Sequence, residues 1–427
     1  MPDNSNSSTS GNSGKVSTVK RNALMAYLAV MGPGLVVMLA DTDAGSLITA
    51  AQSGAQWGYG LLLAQIILIP IVFMVQELTI RLGVVTKKGH GELIEHHFGR
   101  GWAWLSVSTL MIACIGAIVC EMSGIAGVGL MWGIPEWAST GAMALFLIIV
   151  AITGTYRRVE RIAIAIGLFQ GVFLITMIMS NPEPRQIAEG LATFPVTNPN
   201  YMFLIAANIG AVVMPWMIFY QQSATVDKGL TIKDMEDSRI DTAVGSVVTQ
   251  LIMIAMLVTT AATLWATNEG GVDLNTVEQI SDALTPHLGY DAGRILFSLG
   301  MSGAALVAAI VVSLTAAWGM GEITGYRRSL GDGVKGAPWF YVVYVIVLAI
   351  GMAVVLSGVN LIDVNIFVQV INALLLPIVV GFLVVLSIKA LPEKYRLKGP
   401  YMWVVIVVST IMCMLGVYAG VMGIFMS

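Results

Sequence analysis

The chain has 427 residues, of which 57% are hydrophobic and only 11% charged, against roughly 45–50% and 25% in ordinary soluble domains. A water-soluble fold would have almost nothing polar to wrap itself in, and a net charge of −3 with a pI near 5.8 excludes the basic footprint of a nucleic-acid partner. What remains is an all-α polytopic membrane protein with the lipid bilayer as its main partner, expected to be a monomer in the cell membrane. Cys114, Cys120 and Cys413 all fall in apolar runs without metal-site spacing and read as packing residues.

In chain order, residues 1–19 are rich in Ser, Asn and Gly and nearly free of hydrophobes, the composition of a disordered tail. The apolar run after Lys20 and Arg21 is too long for the core of a cleavable signal peptide and reads as a first membrane span. Crossing about 30 Å of hydrocarbon takes roughly 20 helical residues. Runs long enough are found at 22–54, 58–82, 102–131, 137–155, 159–180, 200–222, 240–266, 294–322, 339–357, 362–388 and 401–426, eleven transmembrane helices in all. Residues 20–400 make a ten-helix core and 401–427 an additional helix.

With the N-terminus cytoplasmic and the C-terminus extracellular, only Arg185 and Arg294 of the 22 basic residues fall on the outer face, as the positive-inside rule asks. Glu269, Asp273, Glu278, Asp282 and Asp291, between spans 7 and 8, face outward in this arrangement and read as a solvated loop.

Two spans are interrupted at their centres. Span 1 contains Asp41-Thr42-Asp43-Ala44-Gly45-Ser46, and span 6 contains Met214-Pro215-Trp216 after Asn208, Gly210 and Ala211. Gly and Pro inside a spanning helix free backbone carbonyls that must find partners, which in transporters are often ions. Spans five apart run in opposite directions, the arithmetic of an inverted five-plus-five repeat with span 11 appended.

The acids sharpen this reading. A mid-bilayer Asp costs about 2.5–3.5 kcal/mol on insertion scales, and span 1 holds two, Asp41 and Asp43, while no span holds a Lys or Arg at similar depth. A mobile cation supplies the missing positive charge. Glu121 in span 3 is a further acid within a span. Glu77 reads as an ion pair with Arg81 four residues on, and Glu322 as an interfacial residue near Arg327 and Arg328. His90, His96, His97 and His287 all fall in loops, so no span holds the usual side chain of a proton relay. The run from His90 to His97 reads as an ordinary amphipathic surface.

Gly32-Pro33-Gly34 through Asp43-Ala44-Gly45-Ser46, then Gly54-Ala55-Gln56-Trp57-Gly58-Tyr59-Gly60-Leu61-Leu62 and Arg81-Leu82-Gly83, resembles the opening of the Nramp divalent-metal transporters. In that family the span-1 motif is Asp-Pro-Gly-Asn, and Gly210-Ala211-Val212-Val213-Met214-Pro215 is similar to its span-6 pattern Ala-x-x-Met-Pro. The resemblance implies a LeuT-type fold with broken helices 1 and 6. It also implies a metal site built from Asp43, Ser46, the carbonyl of Ala211, Met214 and Gln369, with Asp41, Trp216 and Glu121 as candidates to surround a hydrated ion. The departures matter as well. The motif's Pro is Ala44 and its Asn is Ser46, two family histidines of span 6 are Trp216 and Gln221, and an acidic position three before Glu121 is Ile118. These replacements remove the family's proton pathway, and the pattern resembles the divergent prokaryotic Nramp-related magnesium transporters.

The expected function is therefore proton-uncoupled uptake of Mg²⁺, and also Mn²⁺, by alternating access, with the metal as substrate and no cofactor. The alternatives are a proton-coupled Mn²⁺/Fe²⁺ symporter and, from another class, a sodium-coupled amino-acid carrier on the same fold. The paired acids of span 1 oppose a substrate carboxylate there. No nucleophile and base set or phosphate loop suggests an enzyme.

Overall fold

A computed structural model describes residues 32–153, 156–267, 271–285, 289–328 and 332–426. The N-terminal tail, the first residues of span 1 and His287 lie outside the described residues. Among those described, every regular element is helical, and there are ten helices long and apolar enough to cross a bilayer, or eleven spans with the bent pair at the start.

Span 1 is two helices, 1a (Pro33–Asp41) and 1b (Ala44–Trp57). They meet at 47°. Spans 2, 3 and 4 are Leu62–Thr86, Arg100–Met131 and Glu136–Thr153. Span 5 runs from Tyr156 to Met179 but tightens to a 3₁₀ turn at Leu168–Gly171. There Gln170 Nε2 reaches across to donate to the Leu39 carbonyl of 1a at 3.0 Å. Span 6 is split into 6a (Pro199–Val212) and 6b (Pro215–Asp227). Span 7 (Met235–Thr260) ends in a π turn at Ala261–Trp265, followed by span 8 (Tyr290–Thr324), span 9 (Pro338–Val355), span 10 (Leu361–Lys389) and span 11 (Gly399–Met426).

Both breaks have local causes. Asp43 is extended at φ −78°, ψ 175° and caps the restart of span 1 with its own carboxylate. In span 6, Val213 and Met214 leave helical geometry, and Pro215 opens 6b at a position where a missing N–H costs nothing. Long-range caps hold the pieces: Asp241 Oδ2 on span 7 accepts from Gly32 N at 3.2 Å and Leu35 N at 3.0 Å at the start of 1a.

Side-chain pairs sort into two ends, as the alternating topology requires. At one end Glu77 pairs with Arg81 at 2.7 Å, as expected, and also with Arg239 of span 7. Arg328 meets Glu92 at 2.7 Å there as well. At the other end Arg294 approaches Glu278 at 3.4 Å, and Asp273 accepts from Gln56 at 2.6 Å and Gln52 at 3.2 Å, so part of the acidic loop is fastened to 1b rather than free in solvent.

Two expectations at the Glu77 end need correction. Glu322 has Arg328 nearby, as expected, but it is not interfacial. It is buried and accepts from Ser223 Oγ at 2.5 Å and Gly91 N at 2.7 Å, tying span 8 to 6b and to the helix His90–Phe98. His90 is no surface residue either, although His96 and His97 are exposed. The first turn of its helix tucks under 6b, so its ring packs edge-on against Phe219 at 4.8 Å and its Nδ1 lies 3.0 Å from Gln222 Oε1.

Burial pushes the His90 imidazole down to about 4, only partly offset by Gln222. A histidine depressed in this way stabilises the fold fully above its unfolded pKa near 6.5 and loses that contribution as pH falls toward 4. Relative to His90→Gln, the detergent-solubilised wild type is expected to lose on the order of 3 kcal/mol of stability across that window. His90→Gln should flatten the dependence, and an unchanged pH profile in the variant would assign it elsewhere.

Candidate metal centre

The two breaks meet. Ser46, in the first turn of 1b, donates through Oγ to the Ala211 carbonyl of 6a at 2.9 Å. Asp43 accepts from Ser46 N at 2.6 Å through Oδ1, while its Oδ2 is buried without a partner. Glu121 of span 3 supplies the other cap, accepting through Oε2 from Ala44 N at 3.2 Å, with Oε1 unpartnered and the Asp43 carboxyl beside it. The N-terminus of 1b, positive by its dipole, is thus clasped by two carboxylates, while the Ala211 carbonyl stands near the negative C-terminal end of 6a. Such an arrangement leaves oxygen lone pairs looking for a cation.

Met214 lies in the extended link of span 6, and its sulfur accepts from Trp216 Nε1 at 3.2 Å. Gln369 of span 10 presses against Gly45 and lends its own carbonyl to the contact with Gly210. A Cβ at either glycine would collide, so these two positions set how closely spans 1, 6 and 10 converge. Gln369 Oε1 accepts from Asn372 Nδ2 at 2.9 Å, and its Nε2 has no partner. To offer oxygen toward span 1 this amide has to rotate.

Asp41, at the end of 1a, is buried with both carboxylate oxygens unpartnered, and its nearest charged neighbour is Asp43. Among the described residues no Lys, Arg or His forms an ion pair with Asp41, Asp43 or Glu121. No group of three or more His, Cys, Asp or Glu is placed to hold a metal among them. A cation at this place would therefore meet one or two carboxylates, a hydroxyl, a backbone carbonyl and an amide, with the thioether of Met214 three residues along from Ala211 and tied to Trp216.

The positions that depart from the family motif are neutral and occupied. Gln221 donates to Thr242 Oγ1 at 2.7 Å and accepts from Thr79 at 3.3 Å. Ile118 packs against Gly351 of span 9. Three supporting residues lie outside the sequence motifs: Asp241; Thr249, which donates to the Met38 carbonyl; and Asn372. Asn372 lies three residues after Gln369 on one helix, and that spacing was a usable signal.

Two broken spans meeting among buried carboxylates define an α-helical membrane protein of the LeuT-type inverted-repeat fold. Solved structures share it: a manganese transporter of Eremococcus coleocola superposes with a TM-score of 0.75 at 18% identity, covering 98% of this chain and 90% of that one. MhsT in complex with L-phenylalanine gives 0.63 at 13% identity, covering 91% and 98%.

Within that fold the chain belongs to the Nramp family. Residues 34–422 match the family described as natural resistance-associated macrophage protein-like. It is similar to the divalent metal cation transporter MntH of Pectobacterium carotovorum subsp. carotovorum (strain PC1), at 27% identity over 305 residues, 70% of this chain and 73% of the relative. The MntH of Klebsiella pneumoniae (strain 342) is 28% identical over 301 residues, 69% and 72% of the two chains.

Proposed function

We propose that this protein takes up divalent cations, Mg²⁺ and Mn²⁺, by alternating access without coupling to protons. The N-terminus is cytoplasmic and the substrate binds between the breaks of spans 1 and 6. The observation that carries the reading is a cluster of buried carboxylates without a fixed protein cation among the described residues: both oxygens of Asp41 have no donor, and Asp43 faces the carboxyl of Glu121. The MntH relatives, named as divalent metal cation transporters, support the same substrate class.

The donor set suits both ions in different ways. Oxygen ligands favour Mg²⁺, which dehydrates reluctantly. The thioether of Met214 favours softer metals such as Mn²⁺. Met214→Ala is accordingly expected to raise the KM for Mn²⁺ by roughly tenfold, about 1.4 kcal/mol, while leaving that for Mg²⁺ nearly unchanged. Equal losses for the two ions in proteoliposome uptake would remove Met214 from the coordination shell.

The rival, proton-coupled symport of Mn²⁺ or Fe²⁺, draws on one feature: Glu121 keeps a buried carboxylate oxygen free. The experiment that separates the readings is uptake of Mg²⁺ and Mn²⁺ into liposomes with internal pH recorded. Uptake without acidification supports the proposal, and acidification in step with metal supports the rival.

A further inference from the structure

Beyond the breaks, on the side of Trp57 and Pro199, 1b and 6a share a second polar patch that the metal centre does not use. Ser46, Thr49 and Ser53 recur at three- and four-residue intervals and so line one face of 1b. Its two ends are fixed by contact, since Ser46 Oγ meets the Ala211 carbonyl and Ser53 Oγ receives Asn208 Nδ2 at 2.8 Å. Asn208 and Ala211 are three apart on 6a. Gln65, in the first turn of span 2, completes the patch by donating to Asn208 Oδ1 at 2.5 Å. Thr49, Ser53, Gln65 and Asn208 are all 0% exposed.

The hydrogen-bond accounting of this patch is lopsided. Both amide nitrogens are engaged, with Asn208 Nδ2 donating also to the Leu204 carbonyl at 2.7 Å, and Ser53 Oγ donates to the Thr49 carbonyl at 2.7 Å. Thr49 Oγ1 and Gln65 Oε1 have no partner at all. Buried polar groups are rarely left so unless a water or ion completes them. Gln65 Oε1 can only accept, and the Thr49 hydroxyl accepts as well as donates, so a cation or its water satisfies both, whereas an anion leaves Gln65 Oε1 unmet.

We propose that Thr49, Ser53, Gln65 and Asn208 form a second, weaker site that holds a partly hydrated divalent cation on its way to Asp43. At 1.5 Å per residue, Ser53 lies about 10 Å along 1b from Ser46. Two divalent ions so close repel strongly, so the staged ion moves on only when the inner position is empty. The patch bears no formal charge, which keeps it weak enough to release what it binds. This inference rests on the uptake of divalent cations proposed above.

The test uses the full-length protein in proteoliposomes with Mn²⁺ as probe. Thr49→Val removes a hydroxyl that bonds to nothing, so a purely structural patch requires unchanged uptake and equal or greater thermal stability. A staging site instead gives a KM raised at least about threefold at nearly unchanged kcat, and Gln65→Glu, which adds charge, lowers KM by a similar factor. In Asp43→Asn protein, electron paramagnetic resonance should still count one weakly bound Mn²⁺, lost when Gln65→Leu is added. A wild-type KM in Thr49→Val and no tightening in Gln65→Glu overturn the staging site and leave the transport reading standing, and either variant decides alone if the other does not fold. Wild-type liposomes that take up no Mn²⁺ overturn the transport reading and this one with it.

Discussion

Asp43→Asn is expected to reduce Mg²⁺ and Mn²⁺ uptake by more than the roughly 10–100-fold that follows loss of a group merely supporting a metal ligand. The substitution is close to isosteric, and Asn is as good an N-cap as Asp. The bond from Ser46 N to Oδ1 at 2.6 Å and the 47° bend between 1a and 1b should therefore survive. What changes is charge alone. Asp43 stands beside Asp41 and Glu121 without a protein cation to offset it. The neutral variant should accordingly be no less stable in detergent than the wild type, because like charges have been relieved. Uptake measured beside thermal unfolding separates ligand loss from misfolding. Wild-type transport in a stable Asp43→Asn protein would remove the metal centre from this position.

The sequence makes the spans and both breaks legible, because long apolar runs are interrupted by residues that a bilayer tolerates only with a reason. Asp43 and Pro215 mark the two restarts within single stretches of chain. The residues that hold the pieces in place are far less visible. Asp241 caps 1a across 209 positions, and Glu121 caps 1b across 77. No local pattern announces a donor and acceptor that meet only after the spans pack. His90 and Glu322 fail for the same reason. A polar stretch at a span end looks solvated until neighbouring helices close over it, after which Glu322 binds Ser223 and Gly91 with Arg328 still nearby. Thr49 and Gln65 look unremarkable as isolated polar residues in apolar runs. Only the count of satisfied and unsatisfied atoms sets them apart.

Membrane potential offers the second large effect. A divalent ion crossing inward gains 2 × 2.3, about 4.6 kcal/mol, per 100 mV, enough to favour the inside by about three decades. The proposed transport therefore needs no proton coupling to be driven inward. The positions where the family would keep titratable groups hold Trp216, which donates to Met214, Gln221, bonded to Thr242 and Thr79, and the apolar Ile118. None of these exchanges a proton near neutral pH. In liposomes under an imposed potassium diffusion potential, the voltage at which net Mn²⁺ flux reverses should move by about 30 mV per tenfold metal gradient, the value for two charges. It should not move with pH. Symport of one proton with each metal carries three charges, and would shift reversal by about 20 mV per decade of metal and by as much per pH unit. A pH-dependent reversal voltage would return Glu121, with its free buried oxygen, to the centre of the mechanism as a proton carrier.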